Sequence, residues 1–257
     1  TLIITTYNWP EALQLVLKSA EQLVEKPLEI IIADDGSTQE TKAVIDLYKD
    51  SLPIIHLWHK DDGFRRTVIL NKAIAQAKGD YIIQLDGDCL MHKNFVKDHQ
   101  IMAEDNMYLY GSRVNIKKDF ITKLFADKIT KISFLNSGIK NKTRNLHLPL
   151  LMKSYQPEQK LSSKLRGCNL SYWKKDIIAI NGYNENMTGW GREDSEMAVR
   201  LLNNGVLGKR IRYGGIIYHI WHLVKSKARF NINDEIQKKA IENNLKWCEN
   251  GIDKYLN

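Results

Sequence analysis

The first half of this chain alternates short apolar runs with amphipathic helical stretches, and two of the runs close in acidic turns. No other feature of the sequence limits the fold as much. Leu2–Thr5 reads as a buried strand. A helix follows over Glu11–Leu23, with Pro10 at its start, where a missing N–H is harmless. Leu28–Ala33 is the next apolar run and ends in Asp34-Asp35-Gly36-Ser37. Thr38–Lys49 is helical, Pro53–Trp58 extended, and Arg66–Lys78 helical up to Gly79. Tyr81–Leu85 is a fourth strand, ended by Asp86-Gly87-Asp88. Strands joined through helices predict an α/β fold with a Rossmann-like, mostly parallel central sheet flanked by helices. Right-handed crossovers place the strand C-termini along one edge, where ligands bind. Both acidic turns fall on that edge.

The second half is less regular. Phe120–Leu135 reads as a basic amphipathic helix, with Phe120, Ile121, Leu124, Phe125, Ile129 and Ile132 on one face. Asn136–Leu165 is polar and irregular, a loop or lid. Asp194–Asn203 is a helix closed by Gly205, Arg210–His219 is strand-like, and Asp234–Glu249 is a C-terminal helix. Charge is unevenly spread: Gly111–Lys175 carries fifteen Lys/Arg against three Asp/Glu, while the whole chain is only +8. This segment suggests either an anionic partner (lipid, a phosphorylated glycan or nucleic acid) or simply a solvated lysine-rich surface. A basic interfacial helix would make peripheral contact with an anionic membrane. The three cysteines are scattered with no CxxC, so a reducing cytoplasm is expected. Thr1 already stands inside a strand-like run, so residues before it are expected.

Several side chains stand where chemistry is expected. In Asp86-Gly87-Asp88 the two carboxylates alternate with glycine on extended backbone and point the same way. Such a pair suits a divalent cation shared with a diphosphate, although Asp-Gly is also ordinary turn chemistry. Asp34-Asp35 offers a carboxylate at the sheet edge for a base or ribose, or merely a helix cap. Thr188-Gly189-Trp190-Gly191-Arg192-Glu193-Asp194 sets an exposed Trp beside carboxylates, as a sugar site requires. Glu193 and Asp194 open a helix, whose N-terminus favours carboxylate anions able to accept a proton. In Tyr218-His219-Ile220-Trp221-His222 one histidine would complete a metal site begun by Asp88. On a continuous strand the two histidines face opposite sides, so at most one serves. No phosphate loop, GxGxxG, HExxH or GxSxG is present.

Taken together, Thr5-Thr6-Tyr7-Asn8, Asp34-Asp35-Gly36-Ser37 and Asp86-Gly87-Asp88 resemble the nucleotide-binding half of family 2 inverting glycosyltransferases with the GT-A fold. Asn181-Gly182-Tyr183-Asn184-Glu185 and Gly189-Trp190-Gly191-Arg192-Glu193-Asp194 resemble the acceptor half of β-1,4-galactosyltransferases. They also resemble the N-acetylgalactosamine-transferring module of bacterial chondroitin polymerases. Gly63-Phe64-Arg65 with Asn71, and Gly167-Cys168-Asn169, belong to the same likeness, which spans residues 1–224. The resemblance implies that Thr5, Tyr7 and Asp35 hold uridine. It implies that Arg65 lies against the nucleotide or diphosphate, that Asp86 meets ribose or donor sugar, and that Gly167 and Asn169 line the donor pocket. Asp88 and His222 would be metal ligands, Trp190 the sugar platform, Glu193 an acceptor-positioning group and Asp194 the catalytic base.

The implied enzyme is a metal-dependent inverting hexosyltransferase using Mn²⁺ or Mg²⁺. It would move a hexose or N-acetylhexosamine, of galactose or N-acetylgalactosamine type, from a UDP-sugar. The acceptor would be a hydroxyl of a glycan or lipid-linked glycan, such as lipopolysaccharide or capsule. Arg192 replaces a glycine of the Golgi enzymes, and neither membrane anchor nor disulfide pattern is seen. This favours a bacterial cytoplasmic enzyme, peripheral on the inner face of the membrane, with no nucleic-acid partner. The rival readings are a nucleotidyltransferase acting on sugar phosphates and a non-enzymatic binder of polyanions. One GT-A domain is expected, with a nucleotide-sugar-binding half (1–110) and a basic helix and loop insertion (111–166). An acceptor-binding and catalytic half (167–224) and a C-terminal helical tail (225–257) complete it.

Overall fold

A computed structural model describes residues 1–223 and 226–256. The boundary expected at 224–225, and residue 257, lie outside the described residues. Strands β1 (Leu2–Thr6), β2 (Ile30–Asp34), β3 (Ile54–Trp58) and β4 (Tyr81–Asp86) fall where the alternation puts them. They are linked by helices α1 (Pro10–Ala20), α2 (Gln39–Asp46) and α3 (Arg66–Gln76). Helix α3 stops before its expected end because Ala77 turns extended and the Lys78 N–H donates to Glu29 Oε1 at 2.6 Å.

The chain continues through β5 (Cys89–Met91), α4 (Phe95–Met102), β6 (Met107–Gly111), β7 (Arg113–Ile116), α5 (Ile121–Ala126) and β8 (Ile139–Lys140). It ends through β9 (Asn169–Trp173), α6 (Lys174–Ala179), α7 (Glu193–Asn203), β10 (Leu207–Ile211), β11 (Ile217–His219) and α8 (Phe230–Glu242). The large sheet has seven strands in the order β10-β6-β9-β4-β1-β2-β3. Only β9 runs against its neighbours. The fold is α/β, with the expected mostly parallel sheet between helical layers. From β1 the order runs out to β2 and β3, then returns to β4 on the other side of β1. The crevice at that reversal is where such sheets bind ligands. A smaller sheet, β5-β11-β7-β8, stands beside it.

Strands buried on both faces carry unbroken apolar runs, and Leu2–Ile4 and Ile30–Ala33 show no exposure at all. One core layer packs α3, α6 and α7 on the sheet, and the other packs α1 and α4. A third cluster joins α1 and the small sheet to the segment after β7.

Three expectations need correction. The single helix over Phe120–Leu135 is not formed: α5 ends at Ala126, and Lys128 takes a φ of 47°. Its apolar residues pack inward, with Leu124 fully buried, Ile132 nearly so, and Phe125 edge-on to Trp9. The apolar face expected over Phe120–Ile132 is therefore turned into the fold rather than outward. Second, Arg210–His219 is two strands in different sheets, parted by positive φ at Tyr213 and Gly215. The bend lets the Gly215 N–H donate to the buried Asp98 carboxylate at 2.9 Å. Third, the last helix begins and ends earlier than expected, and Asn244 with φ of 48° closes it. Among the described residues no helix is long and apolar enough to cross a membrane. All three cysteines are buried free thiols.

Candidate active site

The C-terminal ends of β1, β2 and β4 meet at the crevice. Register sets Thr5 beside Asp86 and Thr6 beside Asp34. On the β2 side, Asp34 Oδ1 accepts the Ser37 N–H at 2.8 Å and fixes the acidic turn. Its neighbour Asp35 is 6% exposed. Asp35 Oδ2 accepts the Arg65 N–H at 3.0 Å, and Oδ1 lies 2.7 Å from His59 Nε2. Tyr7 is well exposed and donates its hydroxyl to Asp61 Oδ2 at 2.9 Å.

The two arginines at the start of α3 behave differently. Arg65 turns outward, to Asp62 Oδ2 at 3.0 Å and the Lys60 carbonyl at 2.9 Å. Arg66 turns inward and is nearly buried. Its Nη2 donates to Asp86 Oδ1 at 2.9 Å and its Nη1 to Asp194 Oδ1 at 3.0 Å, with Glu193 Oε1 at 3.7 Å. One guanidinium therefore links the strand carboxylate to the helix carboxylates. Burial raises the Asp86 carboxyl, but the charge and hydrogen bond of Arg66, with the Thr5 hydroxyl at 3.0 Å, outweigh it and hold it low. Glu193 lacks so direct a partner. Burial, then the Asp194 charge beside it, push its carboxyl up to about 7 against the pull of Arg66.

Asp194 stands in the first turn of α7. Its Oδ1 accepts from Arg66, from the Tyr183 hydroxyl at 3.2 Å and from Gln84 Nε2 at 3.4 Å. No hydrogen bond to its Oδ2 is formed among the described residues. That oxygen faces Gly167 so closely that a Cβ there would lie 1.8 Å away. Gly167 is held in place by its carbonyl, which accepts from Gln84 Nε2 at 3.0 Å. Gln84 Oε1 in turn receives the hydroxyls of Tyr172 and Tyr183, both at 2.8 Å, and the single Tyr183 proton is shared between Gln84 Oε1 and Asp194 Oδ1. A fully buried glutamine in β4 thus organises Asp194, Gly167 and Tyr183.

Asp88 follows β4 at the entry to the small sheet. Its Oδ2 lies 3.3 Å from His222 Nε2 and 3.7 Å from His219 Nε2. Strand β11 stops at His219, so the alternation that would separate the two imidazoles no longer applies. Their ring centroids are 5.1 Å apart. The expectation that only one histidine faces Asp88 is corrected: both do. One carboxylate oxygen with two imidazoles is a donor set for a divalent transition ion.

Trp190 is partly exposed and stacks on Phe230 of α8, with centroids 6.3 Å apart at 25°. The flanking glycines are needed by the backbone: Gly189 has φ of 73° and Gly191 of 110°. The loop is anchored where Asn233 Nδ2 donates to the Gly191 carbonyl at 2.9 Å. Asn169 does not reach the crevice. It is fully buried in β9, and its amide bonds the Gly215 and Ser112 carbonyls and His99. Its expected place in a donor pocket is corrected on that ground.

The family model described as Glycosyl transferase family 2 matches residues 1–161. The chain belongs to glycosyl transferase family 2. A second model, the N-terminal domain of galactosyltransferase, matches residues 148–223. Among curated proteins this family member is 26% identical over 85% of its length to hyaluronan synthase of Pasteurella multocida. It is 25% identical over 85% of its length to chondroitin synthase of Escherichia coli. It spans only 24% and 34% of those two proteins. The solved structure of S. aureus TarS 1-349 in complex with UDP superposes with a TM-score of 0.63 at 15% identity, covering 92% of this chain and 63% of that one.

Sequence reasoning missed three residues that build this family 2 site: Arg66, Gln84 and His59. Gln84 carried a signal, being polar in the middle of the apolar run Tyr81–Leu85. Arg66 and His59 carried none, since neither their type nor their spacing separates them from surface neighbours.

Proposed function

We propose that this chain is a metal-dependent inverting glycosyltransferase. It moves a hexose or N-acetylhexosamine, of galactose or N-acetylgalactosamine type, from a UDP-sugar to a hydroxyl of a bacterial surface glycan. The observation that carries the reading is the Arg66 link, which brings Asp86 from the nucleotide half within one guanidinium of Asp194 from the acceptor half. The family match and the polysaccharide synthases among the relatives favour it over the two rivals.

Asp194 is the base. Its Oδ1 is anchored by three donors, leaving Oδ2 to take the proton of the acceptor hydroxyl. The activated oxygen then displaces UDP in line at the anomeric carbon, so an α-linked donor gives a β-linked product. Trp190 offers its face to a sugar ring, and Glu193 fixes the loop through the Gly191 N–H at 2.9 Å. Asp35 with His59, Tyr7 and Thr5 hold the uridine side. Asp88, His222 and His219 would hold the cation, Mn²⁺ ahead of Mg²⁺ because imidazoles disfavour magnesium and diphosphate oxygens favour manganese over zinc; when bound it supplies positive charge against the departing diphosphate. Arg144 is held below the usual guanidinium range by burial and then by Arg212, Arg210, Arg113 and Arg166 around it. So dense a cationic surface suits an acidic or phosphorylated acceptor. The test is a donor screen: UDP release from a panel of UDP-sugars, with and without Mn²⁺, in the presence of anionic and neutral glycan acceptors. No release from any UDP-sugar would sink the reading.

A further inference from the structure

A second cluster of metal-binding side chains lies away from the crevice. His92 directly follows β5, Asp98 stands in α4, and His147 comes from the irregular segment after β8. The three residues of β5 separate Asp88 from His92, so this cluster lies about 13 Å along the strand from the first metal corner. His147 Nε2 is 3.0 and 3.2 Å from the two Asp98 oxygens. The rings of His92 and His147 lie side by side, with centroids 5.0 Å apart. One ligand atom from each of the three residues falls within 4.8 Å of the others.

Asp98 is 3% exposed, and its carboxylate needs compensation. The Gly215 N–H at 2.9 Å supplies a dipole, and His147 supplies a charge only when protonated. A buried carboxylate left beside a neutral imidazole is costly. A dication between Asp98 and neutral imidazoles removes that cost. It also gives a role to the His92 imidazole, whose only hydrogen bond among the described residues is from the Asn94 N–H to Nδ1 at 3.3 Å. The Gly215 N–H already occupies Asp98 Oδ2, orienting Oδ1 toward the imidazoles.

We propose that His92, Asp98 and His147 form a second divalent-metal site, of the zinc class, distinct from the Asp88 corner. Two imidazole nitrogens and one carboxylate are a three-ligand set that zinc takes with a fourth position open. Magnesium and calcium prefer all-oxygen shells. Asp98 and His147 themselves line a cavity of about 320 Å³, together with Asn94, Lys97, Met152 and Lys153, which leaves room for a fourth ligand. The two lysines there suit water or an anion as the fourth ligand. The ion ties the segment carrying His147 to α4 and to the end of β5.

The test uses the full chain, stripped with chelator and titrated with Zn²⁺ against a chromophoric competitor. Asp88→Ala serves as the background, because it removes the carboxylate of the other corner. That variant is expected to bind one equivalent of Zn²⁺ and to gain thermal stability from it. Adding His92→Ala or His147→Ala is expected to weaken this binding by about 100-fold or more. Co²⁺ in the Asp88→Ala protein should give visible ligand-field bands that the His92→Ala addition abolishes. If His147→Ala fails to fold, the Co²⁺ bands and the partly exposed His92 decide the matter. The proposal is overturned if Asp88→Ala binds no Zn²⁺, or if folded His92→Ala binds it as tightly as its parent.

Discussion

Gly167→Ala is the perturbation that tests the site most sharply. The added Cβ would lie 1.8 Å from Asp194 Oδ2 and 2.1 Å from its Cγ, whereas ordinary contact begins at 3.4 Å. The carboxylate must retreat by about 1.6 Å, the difference between those distances. Cγ and Oδ1, at 2.1 and 2.4 Å, clash as well, so the side chain must swing about its Cα–Cβ bond rather than merely turn its carboxylate. Rotation costs the fold the Arg66, Tyr183 and long Gln84 hydrogen bonds to Oδ1, while Arg66 keeps Asp86, so destabilisation is about 1–3 kcal/mol and the protein stays folded. The reaction suffers more. A misplacement of about 1 Å costs on the order of 100-fold in rate, or about 3 kcal/mol of barrier. We expect kcat for sugar transfer to fall by about 100-fold, while calorimetric affinity for UDP with Mn²⁺ is unchanged. Asp35, Tyr7 and Thr5 come from other strands and turns and are untouched. If the effect runs through Asp194, Gly167→Ala added to Asp194→Asn should cost almost nothing further. A folded Gly167→Ala enzyme with kcat within about threefold of wild type would refute the argument that Asp194 Oδ2 is where the proton goes.

Further expectations follow from the same geometry. Asp194→Asn keeps shape and polarity but cannot take a proton, so kcat should fall by roughly two to four orders of magnitude with UDP affinity spared. A near wild-type rate would make Glu193 the base instead. EDTA should abolish transfer, Mn²⁺ should restore it, and Asp88→Ala should remain inactive while folded; full activity after exhaustive chelation removes the metal from the mechanism. Trp190→Ala should raise the acceptor KM by about tenfold or more with UDP affinity intact, and an unchanged acceptor KM would take the indole out of the sugar site. Glu193 titrates at about 7 in the fold against an ordinary 4.5. Its folded-state pKa is raised, so its contribution is complete below about 4.5 and is lost as pH rises through about 7. Chemical denaturation from pH 5 to 8 should therefore show a loss of stability that Glu193→Gln flattens; identical profiles would mean that Glu193 is not the titrating group.

Much of this protein was legible in local pattern. Apolar runs joined by helical periodicity gave the parallel half of the sheet, because strand and helix periods depend only on neighbouring side chains. The acidic turns after β2 and β4 marked the ligand edge, since crossover handedness is a general constraint on such chains. The exposed Trp190 between glycines was legible for the same kind of reason. What needed tertiary structure was direction. Arg65 and Arg66 are adjacent and chemically alike, yet they leave the helix start about 100° apart, and only packing decides which one reaches Asp86 and Asp194. His219 and His222 share Asp88 because β11 ends at His219, and that end is set by pairing with β5 and β7, not by the local sequence. Asn169 looked like a site residue but bonds the chain at Gly215, a partner 46 positions away. The helix expected across Phe120–Leu135 had the right periodicity, but its apolar residues found a nearer core beneath the small sheet, and contacts of that range outweigh local propensity.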